Sequence, residues 1–366
     1  MKIAYIVGGL PFGGVETWMY DLAAEYRSNG LAEARIFNLS GTGDMHARFV
    51  EQGLDVQSVA SGTHAIASHR LDTTLRLRAM LRRYAPDVIH TMHISANHHG
   101  RLAALGLGIP VVTHLHNVKR EKRLHRRLSD KLLSHATTAY LAVSQAVADV
   151  VTADHNVAGR PVRVFYNAID PKRCHMPPLD LKAAFGVSGP VVLSVGRYVR
   201  QKNLDLLIRA VRMLHDQHMP ASLVLVGEGV ERPRLEALRD SLGLGGHVVL
   251  TGFRQDVAAF FRAADVFAMP SDFEGFPIAQ MEALYCGLPC VVSRHVPSLE
   301  VASEASLVCE TEPGDIAAKL LAVLRDDALR GRLSEAARRV AEPLTMPHYA
   351  MRLHSFYTEL LAGNLR

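Results

Sequence analysis

The feature that most constrains this chain is a repeated alternation of short apolar runs with longer amphipathic stretches. The runs have strand length, and the stretches between them, such as residues 71–84 and 204–215, have helical spacing. This alternation predicts parallel sheets covered by helices on both faces. It runs through the chain twice and predicts strands at 3–8, 35–39, 56–59, 88–91, 111–115, 139–143 and 162–165, then at 191–195, 222–226, 248–250, 266–269 and 290–293.

Two units also agree with the length of 366 residues, which exceeds what one hydrophobic core usually organises. Residues 170–190 contain four prolines and two glycines without a clear period, which indicates a junction. We therefore expect an N-terminal domain over 1–172 and a C-terminal domain over 173–345. A last helix within 346–366 is expected to return to the N-terminal domain, and the chain after residue 306 is predicted to be helical.

Composition excludes several classes of protein. No apolar run approaches the roughly 18 residues needed to cross a bilayer, and no signal peptide is predicted. The four cysteines lack paired spacing, which is typical of reduced core residues in a cytoplasmic protein. The net charge is +5, and residues 1–175 hold 21 Lys and Arg against 14 Asp and Glu. This bias favours phosphates or lipid head groups as partners and is too weak to indicate nucleic-acid binding.

The segment 271–283 follows a predicted strand and leads into a predicted helix. Pro277 suits the first helical position, where its missing N–H costs nothing. Gly275 permits close backbone approach at a helix N-terminus, which can bind phosphate or sugar oxygens. Glu282 lies about five residues into the helix, roughly 7.5 Å along its axis, so Glu274 and Glu282 could hold different hydroxyl groups. An ordinary loop with solvated glutamates is the alternative.

A second segment, residues 194–203, begins at the end of another apolar strand. Asn203 is predicted to cap the helix that follows. Arg197 and Lys202 would both lie at the strand end, where two fixed cations can neutralise a departing diphosphate without a metal ion. Solvated basic side chains are the alternative.

Together these segments resemble family 4 of the retaining glycosyltransferases. The family's paired glutamates match Glu274 and Glu282, and its Gly-Arg…Lys-Asn signature matches residues 196–203. Ala168 stands where the family often has glycine. The opening glycine loop is similar to that of bacterial enzymes of surface-polysaccharide assembly. Further matches, in the family's order, are Gly-Gly-Val-Glu-Thr at 13–17, Leu-His-Asn at 115–117, Tyr-Asn-Ala-Ile-Asp at 166–170 and Gly-Leu-Pro at 287–289.

The resemblance implies an α/β protein of the GT-B fold, with two facing Rossmann-like doubly wound domains and an interdomain cleft. The first domain would bind the acceptor and the second the nucleotide-sugar donor. The implied catalytic residues are Glu274 at the transferred sugar, Arg197 and Lys202 at the diphosphate, and His116 beside the sugar. The implied donor-binding residues are Gly14, Gly196, Gly252, Phe253, Gly275, Phe276, Pro277, Ile278 and Glu282, the last at the ribose.

The reaction implied is transfer of a sugar from a nucleotide-diphosphate sugar to an acceptor hydroxyl, with retention of anomeric configuration. UDP is the favoured nucleotide, and neither a cofactor nor a metal ion is expected. The resemblance points to bacterial polysaccharide or glycolipid assembly, with a lipid-linked glycan as one candidate acceptor. A nucleotide-sugar epimerase of the same fold and a non-catalytic sugar-nucleotide binding protein are the alternatives.

Two other enzyme classes have weaker signals. A dinucleotide-binding dehydrogenase would need G-x-G-x-x-G, which neither the loop 8–14 nor the segment 227–229 completes. A metal-dependent hydrolase could use His114 and His116 at a strand end, yet no complete ligand set with a carboxylate can be read. The other histidines nearby are His90, His93, His98 and His99.

Residues 118–133 predict a basic amphipathic helix. Leu124, Leu128 and Leu132 fall on one stripe, surrounded by seven Lys and Arg and by two acidic residues. Such a helix can lie on an anionic membrane surface, which predicts a peripheral membrane contact. The alternative is that the leucines face the core and the cations are only solvated.

Overall fold

The computed structural model describes residues 1–60, 71–118, 124–155 and 157–364. The chain forms two compact units. Unit 1 comprises Met1–Ala168 together with Met346–Arg366, and unit 2 comprises Ile169–Thr345. The chain therefore passes from one unit to the other twice.

Unit 1 is built on a seven-stranded parallel sheet in the order β3-β2-β1-β4-β5-β6-β7. The strand order reverses between β1 and β4, and in such sheets ligands bind outside the carboxyl ends of the strands near the reversal. The strands are β1 (Lys2–Val7), β2 (Glu33–Asn38), β3 (Asp55–Ser58), β4 (Val88–Met92), β5 (Val111–Leu115), β6 (Ala139–Ala142) and β7 (Val162–Val164). Every strand predicted for this half is confirmed.

Helices connect these strands. The first begins after Gly13, whose backbone is extended, and ends at Gly30, whose φ of 62° lets the chain turn out of the helix. The helices are α1 (Gly14–Asn29), α2 (His46–Glu51), α3 (Leu71–Tyr84), α4 (Ile94–Ala104), α5 (Leu124–Leu133) and α6 (Gln145–His155). No helix within the described ranges combines the length and the apolar character needed to span a membrane.

Unit 2 contains a six-stranded parallel sheet in the order β10-β9-β8-β11-β12-β13. Its strands are β8 (Val191–Val195), β9 (Ser222–Val226), β10 (Val248–Leu250), β11 (Val266–Met269), β12 (Cys290–Ser293) and β13 (Ser306–Cys309). Its helices are α7 (Leu181–Phe185), α8 (Leu204–Asp216), α9 (Arg232–Ser241), α10 (Val257–Ala263), α11 (Ile278–Tyr285), α12 (Leu299–Ala302), α13 (Pro313–Arg325) and α14 (Asp327–Ala341).

One secondary-structure prediction for this half is wrong. The chain after residue 306 was expected to be helical, but Ser306–Cys309 form β13, which pairs with β12 from Cys290 onwards. The strand has four residues and is partly exposed at the sheet edge, so it lacks the apolar run that marked the other strands. The four cysteines of the chain are free, and three of them are buried, as expected of core thiols.

A last helix, α15 (Met346–Leu361), belongs to unit 1 rather than unit 2. Its Tyr349 ring packs edge-on against Trp18, with the ring centroids 5.3 Å apart. Its Tyr357 hydroxyl lies 3.2 Å from that of Tyr5 on β1. Truncating one buried aromatic ring of this kind typically costs about 3–5 kcal/mol. The core of unit 1 is thus completed by residues from both of its chain segments.

Candidate active site

Glycine residues let three loops of unit 2 interlock at the carboxyl edge of its sheet. The Gly227 N–H donates to the Gly252 carbonyl at 3.0 Å. A Cβ atom on Gly227 would lie 1.9 Å from the Gly196 oxygen, and one on Gly229 would lie 2.3 Å from the Tyr198 oxygen. The glycine pair at 227 and 229 is therefore required by the contact between loops. It gives no support to a dinucleotide-binding fingerprint.

Lys202 and Glu274 form the centre of this edge. Lys202 ends the 3₁₀ turn Arg200–Lys202 between β8 and α8, and Glu274 lies between β11 and α11. The Lys202 Nζ donates to Glu274 Oε1 at 2.6 Å, and both side chains are largely buried. Such a charge-assisted hydrogen bond is stronger than one between neutral groups. A Cβ atom on Gly196 would lie 3.4 Å from the Lys202 Cε, so this glycine leaves space beside the lysine.

The prediction that Asn203 caps α8 is wrong in its detail. Asn203 precedes the helix, but its side chain makes no capping hydrogen bond. Its backbone is left-handed, with φ 50° and ψ 38°, and its Nδ2 donates instead to the Pro270 carbonyl at 3.0 Å and to Asp272 Oδ1 at 2.6 Å. The Gln201 Nε2 donates a hydrogen bond of 2.7 Å to the Phe273 carbonyl and so joins the same two loops. Asn203 and Gln201 therefore tie the loop that carries Lys202 to the loop that carries Glu274.

Glu282 is the fifth residue of α11, as predicted, and it has a partner that the sequence did not indicate. Its carboxylate forms an ion pair with the guanidinium of Arg173, from the turn Pro171–His175. Both side chains are mostly buried, so losing Arg173 would leave the Glu282 carboxylate without its ion-pair partner. Pro277 lies just before α11 in an extended conformation, one residue earlier than expected.

The remaining donor-binding candidates of unit 2 differ in what they can present. Arg197 is exposed and forms no ion pair with any residue that the structure describes. The Phe276 side chain is buried, so only its backbone can face a ligand. Gly252 has a φ of 77°, and the Phe253 side chain beside it is exposed. Gly275 precedes Phe276 on the loop that carries Glu274, and Ile278 is the first residue of α11.

In unit 1, Gly14 and His116 both lie at the carboxyl edge of the sheet. Gly14 opens α1 after β1, and His116 follows β5 directly. Burial lowers the pKa of His116 well below its usual value, and the neighbouring His114 and His93 lower it further. The ring centroid of His116 lies 5.9 Å from that of Trp18. His116 is therefore neutral at neutral pH and can exchange hydrogen bonds with a hydroxyl without adding charge.

The buried histidine rings of unit 1 pack against one another in tilted pairs. The ring centroids of His90 and His114 are 5.2 Å apart, and those of His114 and His116 are 4.1 Å apart. Burial lowers the pKa of His90 to about 3. Across the described ranges, no three His, Cys, Asp or Glu side chains are grouped so that they could hold a metal ion. The His-x-His pattern that suggested a hydrolase lies in packed, neutral rings.

The structure also bears on the basic helix predicted over 118–133. Residues 119–123 lie outside the described residues, as does the side chain of Leu124, and α5 spans Leu124–Leu133. Leu128 is 54% exposed and Leu132 is 74% exposed. The alternative that the leucines face the core is therefore wrong for Leu128 and Leu132. The neighbouring Arg127 and Lys131 are exposed as well.

Two family models match the chain. Residues 12–173 match the model described as Glycosyltransferase Family 4, and residues 182–340 match that described as Glycosyl transferases group 1. A D-inositol 3-phosphate glycosyltransferase of Jonesia denitrificans is 27% identical over 390 residues, covering 94% of this chain and 91% of that protein. An Escherichia coli UDP-Gal:alpha-D-GlcNAc-diphosphoundecaprenol alpha-1,3-galactosyltransferase is 29% identical over 240 residues, covering 61% and 62%.

A solved structure shares the whole fold. The crystal structure of Anabaena Alr3699/HepE in complex with UDP and glucose matches with a TM-score of 0.83, covering 98% of this chain and 99% of that chain at 21% identity. The two family models, one on each half, account together for most of the residues. With its two parallel sheets and these relatives, the chain belongs to the family 4 glycosyltransferases and has the GT-B fold.

Proposed function

We propose that this enzyme moves a sugar from a UDP-sugar to an acceptor hydroxyl with retention of anomeric configuration. The observation that carries the proposal is the pair formed by Lys202 and Glu274, with the exposed Arg197 on the same loop. Two fixed cations beside a diphosphate stabilise the negative charge that develops as the sugar–phosphate bond breaks. The proposal therefore requires no metal ion and no cofactor.

Glu274 has two roles in this proposal. With no donor bound, its carboxylate holds Lys202 in place at 2.6 Å. With donor bound, Lys202 still has N–H groups for phosphate oxygens, because an ammonium group offers three donors and the carboxylate uses one. The second carboxylate oxygen can then accept a hydrogen bond from a hydroxyl of the transferred sugar. Glu274 thus positions the sugar and does not attack it.

Glu282 is proposed to accept hydrogen bonds from the ribose hydroxyls. Its ion pair with Arg173 fixes its direction, and a carboxylate so held has lone pairs left for two hydroxyl groups. The backbone of Gly252 and Phe253 would hold the base. These assignments rest on the family resemblance, and the paired carboxylates of unit 2 support them.

The proposed chemical step is attack from the face that the leaving group occupies. The bond from the anomeric carbon to the diphosphate oxygen breaks, and the bond from that carbon to the acceptor oxygen forms. The acceptor proton passes to an oxygen of the departing diphosphate. By the family resemblance, His116 would contact the transferred sugar, and because burial keeps its ring neutral it would add no charge there.

The choice of UDP and of a lipid-linked acceptor comes from the relatives. The Escherichia coli relative is named for UDP-Gal and for an acceptor on diphosphoundecaprenol, and the Anabaena structure contains UDP and glucose. We propose by analogy a UDP-hexose donor and a glycan acceptor on a lipid, in bacterial polysaccharide or glycolipid assembly. The protein would act in the cytoplasm at the inner face of the cell membrane.

A peripheral membrane contact through α5 is part of this proposal. Leu128 and Leu132 are exposed one helical turn apart, and the exposed Arg127 and Lys131 lie beside them. Each cation near an anionic bilayer contributes about 1 kcal/mol, so the contact would be weak and reversible. We propose an anionic lipid surface as the occupant of this face.

Vesicle co-sedimentation at low salt tests the membrane contact. The protein should sediment with phosphatidylglycerol vesicles and remain in the supernatant with phosphatidylcholine vesicles. The variant L128Q/L132Q should lose the difference, whereas L71Q/L75Q should keep it, because Leu71 and Leu75 form an equally exposed pair on α3. Equal recovery of the wild type with both vesicle types would overturn this part of the proposal.

A thermal-shift screen with UDP, GDP and ADP tests the donor assignment. A nucleotide at about 100 times its Kd should stabilise the protein by roughly 2.7 kcal/mol, and UDP should do so at the lowest concentration. Nuclear magnetic resonance of UDP-glucose and UDP-galactose then separates the alternatives. A transferase releases UDP and forms an α-linked product, an epimerase interconverts the two donors without releasing UDP, and a binding protein does neither.

A further inference from the structure

His93 has a backbone conformation that glycine adopts readily and other residues rarely do. It lies between β4 and α4, at the carboxyl edge of the unit 1 sheet, with φ 74° and ψ 156°. This region is essentially restricted to glycine, because a Cβ atom is crowded there. A role in starting the helix does not account for the histidine, since its side chain makes no capping hydrogen bond. Strain of this kind persists mainly at binding and catalytic sites.

The side chain of His93 faces a buried carboxylate. Glu16, on the first turn of α1, is 7% exposed, and its Oε1 lies 3.5 Å from His93 Nε2. Burial lowers the pKa of His93, so the ring is neutral at neutral pH and carries one N–H. A carboxylate beside Nε2 favours the tautomer in which Nε2 carries that hydrogen. The other ring nitrogen, Nδ1, is then a hydrogen-bond acceptor.

A glycine lies next to that acceptor nitrogen. A Cβ atom on Gly8 would lie 3.9 Å from His93 Nδ1 and 2.6 Å from Ser95 Oγ, so a side chain at position 8 would collide with Ser95. The ring centroid of His116 lies 6.5 Å from that of His93. The His93 side chain is 29% exposed, so a ligand can reach it at the edge of unit 1, beside Gly8 and near His116.

We propose that His93 is an acceptor-binding residue and that Glu16 is its positioning residue. In this proposal His93 Nδ1 accepts a hydrogen bond from the hydroxyl of a sugar or polyol acceptor, and Glu16 fixes the tautomer that allows it. The inference rests on the proposed transferase function and assigns the acceptor contact within it. The hydroxyl that His93 binds is a different one from the hydroxyl that attacks, so the proton of the attacking hydroxyl still passes to the departing diphosphate.

Melting temperatures of H93G and H93A test the strain without any substrate. At an ordinary position glycine destabilises a protein relative to alanine, because it loses more backbone freedom on folding. At position 93 the order should reverse, since glycine relieves the strain and alanine keeps it. We expect H93G to melt about 2 to 4 °C above H93A. A lower melting temperature for H93G would overturn the assignment of His93 as a strained functional residue.

Steady-state kinetics test the contact itself. UDP release from UDP-glucose is measured with n-octyl glycosides of glucose, galactose and N-acetylglucosamine as hydroxyl probes. In H93G the acceptor KM should rise about fivefold to tenfold, as expected for one lost hydrogen bond, while the KM for UDP-glucose stays within about twofold. A158G is the matched control, because Ala158 also has a positive φ, of 51°, and lies elsewhere in unit 1, between α6 and β7. An unchanged acceptor KM in H93G would overturn the proposal.

The role of Glu16 has a spectroscopic signature that a purely structural residue would lack. In ¹⁵N-labelled wild type, the His93 ring should carry its hydrogen on Nε2, and E16Q should give a mixture of tautomers. A wild-type ring with its hydrogen on Nδ1 would contradict the role of Glu16. If wild type binds no UDP, the proposed function fails, whereas the melting and tautomer measurements still decide the assignment of His93.

Discussion

Units 1 and 2 have closely similar architectures and present opposite chemistry at their sheet edges. In unit 2 the edge is charged: Lys202 pairs with Glu274, and Arg173 pairs with Glu282. In unit 1 the edge and the core behind it contain neutral imidazoles, among them His116, whose pKa burial lowers. The sheets differ little in strand order, so the difference lies in the loops and in the residues just after each strand.

This contrast teaches how one fold can serve two ligands. Fixed charges suit a diphosphate, whose negative charge increases as the sugar leaves. Neutral hydrogen-bonding groups suit hydroxyls, which carry no charge to be balanced. The topology determines only that ligands approach the carboxyl ends of the strands, whereas the side chains there determine which ligand is bound.

The largest effect should come from removing a cation of unit 2. R197A or K202A should lower the turnover of UDP-sugar about 10²–10³-fold, because the developing charge on the diphosphate loses one fixed counter-charge. R200A is the matched control and should stay within about twofold, since Arg200 is highly exposed on the same turn. Near-normal turnover by a folded R197A or K202A variant would overturn the assignment of these two cations to the diphosphate.

Acid should destabilise the protein through the neutral histidines of unit 1. His90 has a folded pKa of about 3, below its unfolded value near 6.5, so the unfolded state binds more protons between these values. Stability is therefore unaffected above about pH 6.5 and falls as the pH drops below it, by about 1.4 kcal/mol per pH unit for each such histidine. Burial lowers the pKa of His114 in the same direction.

Melting temperatures between pH 7.5 and 5 check this expectation. H114F, which keeps a ring of similar shape, should lose less stability on acidification than wild type. H175Q is the control and should behave as wild type, because His175 is exposed. A wild-type melting temperature that does not change over this range would show that the buried rings take up no protons on unfolding.

A smaller effect is expected from the ion pair between Arg173 and Glu282, the residue proposed to bind the ribose. R173Q should weaken UDP binding about tenfold, since it leaves the Glu282 carboxylate without its partner. R173K, which keeps the charge but not the planar fork, should recover part of the loss. Calorimetric titration with UDP and with 2′-deoxy-UDP measures both, and the ratio of the two Kd values should shrink in R173Q. Identical Kd values in wild type and R173Q would exclude Arg173 from the site.

Removing divalent metal ions should have no effect on the transfer rate. Transfer from UDP-sugar should persist in excess EDTA if Arg197 and Lys202 supply the positive charge at the diphosphate. The rate with EDTA, then with added Mg²⁺ or Mn²⁺, gives the answer. A complete loss of activity that either ion restores would contradict the proposed metal independence.

Much of the fold could be predicted because its signals are local. Each apolar run marked a strand, and only Ser306–Cys309, short and partly exposed at an edge, was missed. The residues of the candidate donor site could be named because Lys202 and Glu274 belong to segments that the family shares. Lys202 and Glu274 are 72 residues apart in the sequence, and the spacing alone did not predict that they would contact each other. Only the family motif implied that they belong to one site.

The rest could not be predicted because it depends on geometry that residue type does not encode. Arg173 and Glu282 are 109 residues apart, and neither segment indicates the other. Asn203 looked like a helix cap, and only its left-handed backbone turns the side chain towards Pro270. His93 was one histidine among several, and its strain is visible only in its φ and ψ angles.

The position of α15 has a consequence for how the protein is made. Unit 2 is one continuous stretch, whereas unit 1 takes part of its core from α15, including Tyr349, Phe356 and Tyr357. Domains generally fold as units during synthesis, the N-terminal one first. Here the ribosome synthesises the seven strands of unit 1 early, yet these three aromatic rings emerge only after all of unit 2. The half of the molecule that is made first is thus the half that is finished last.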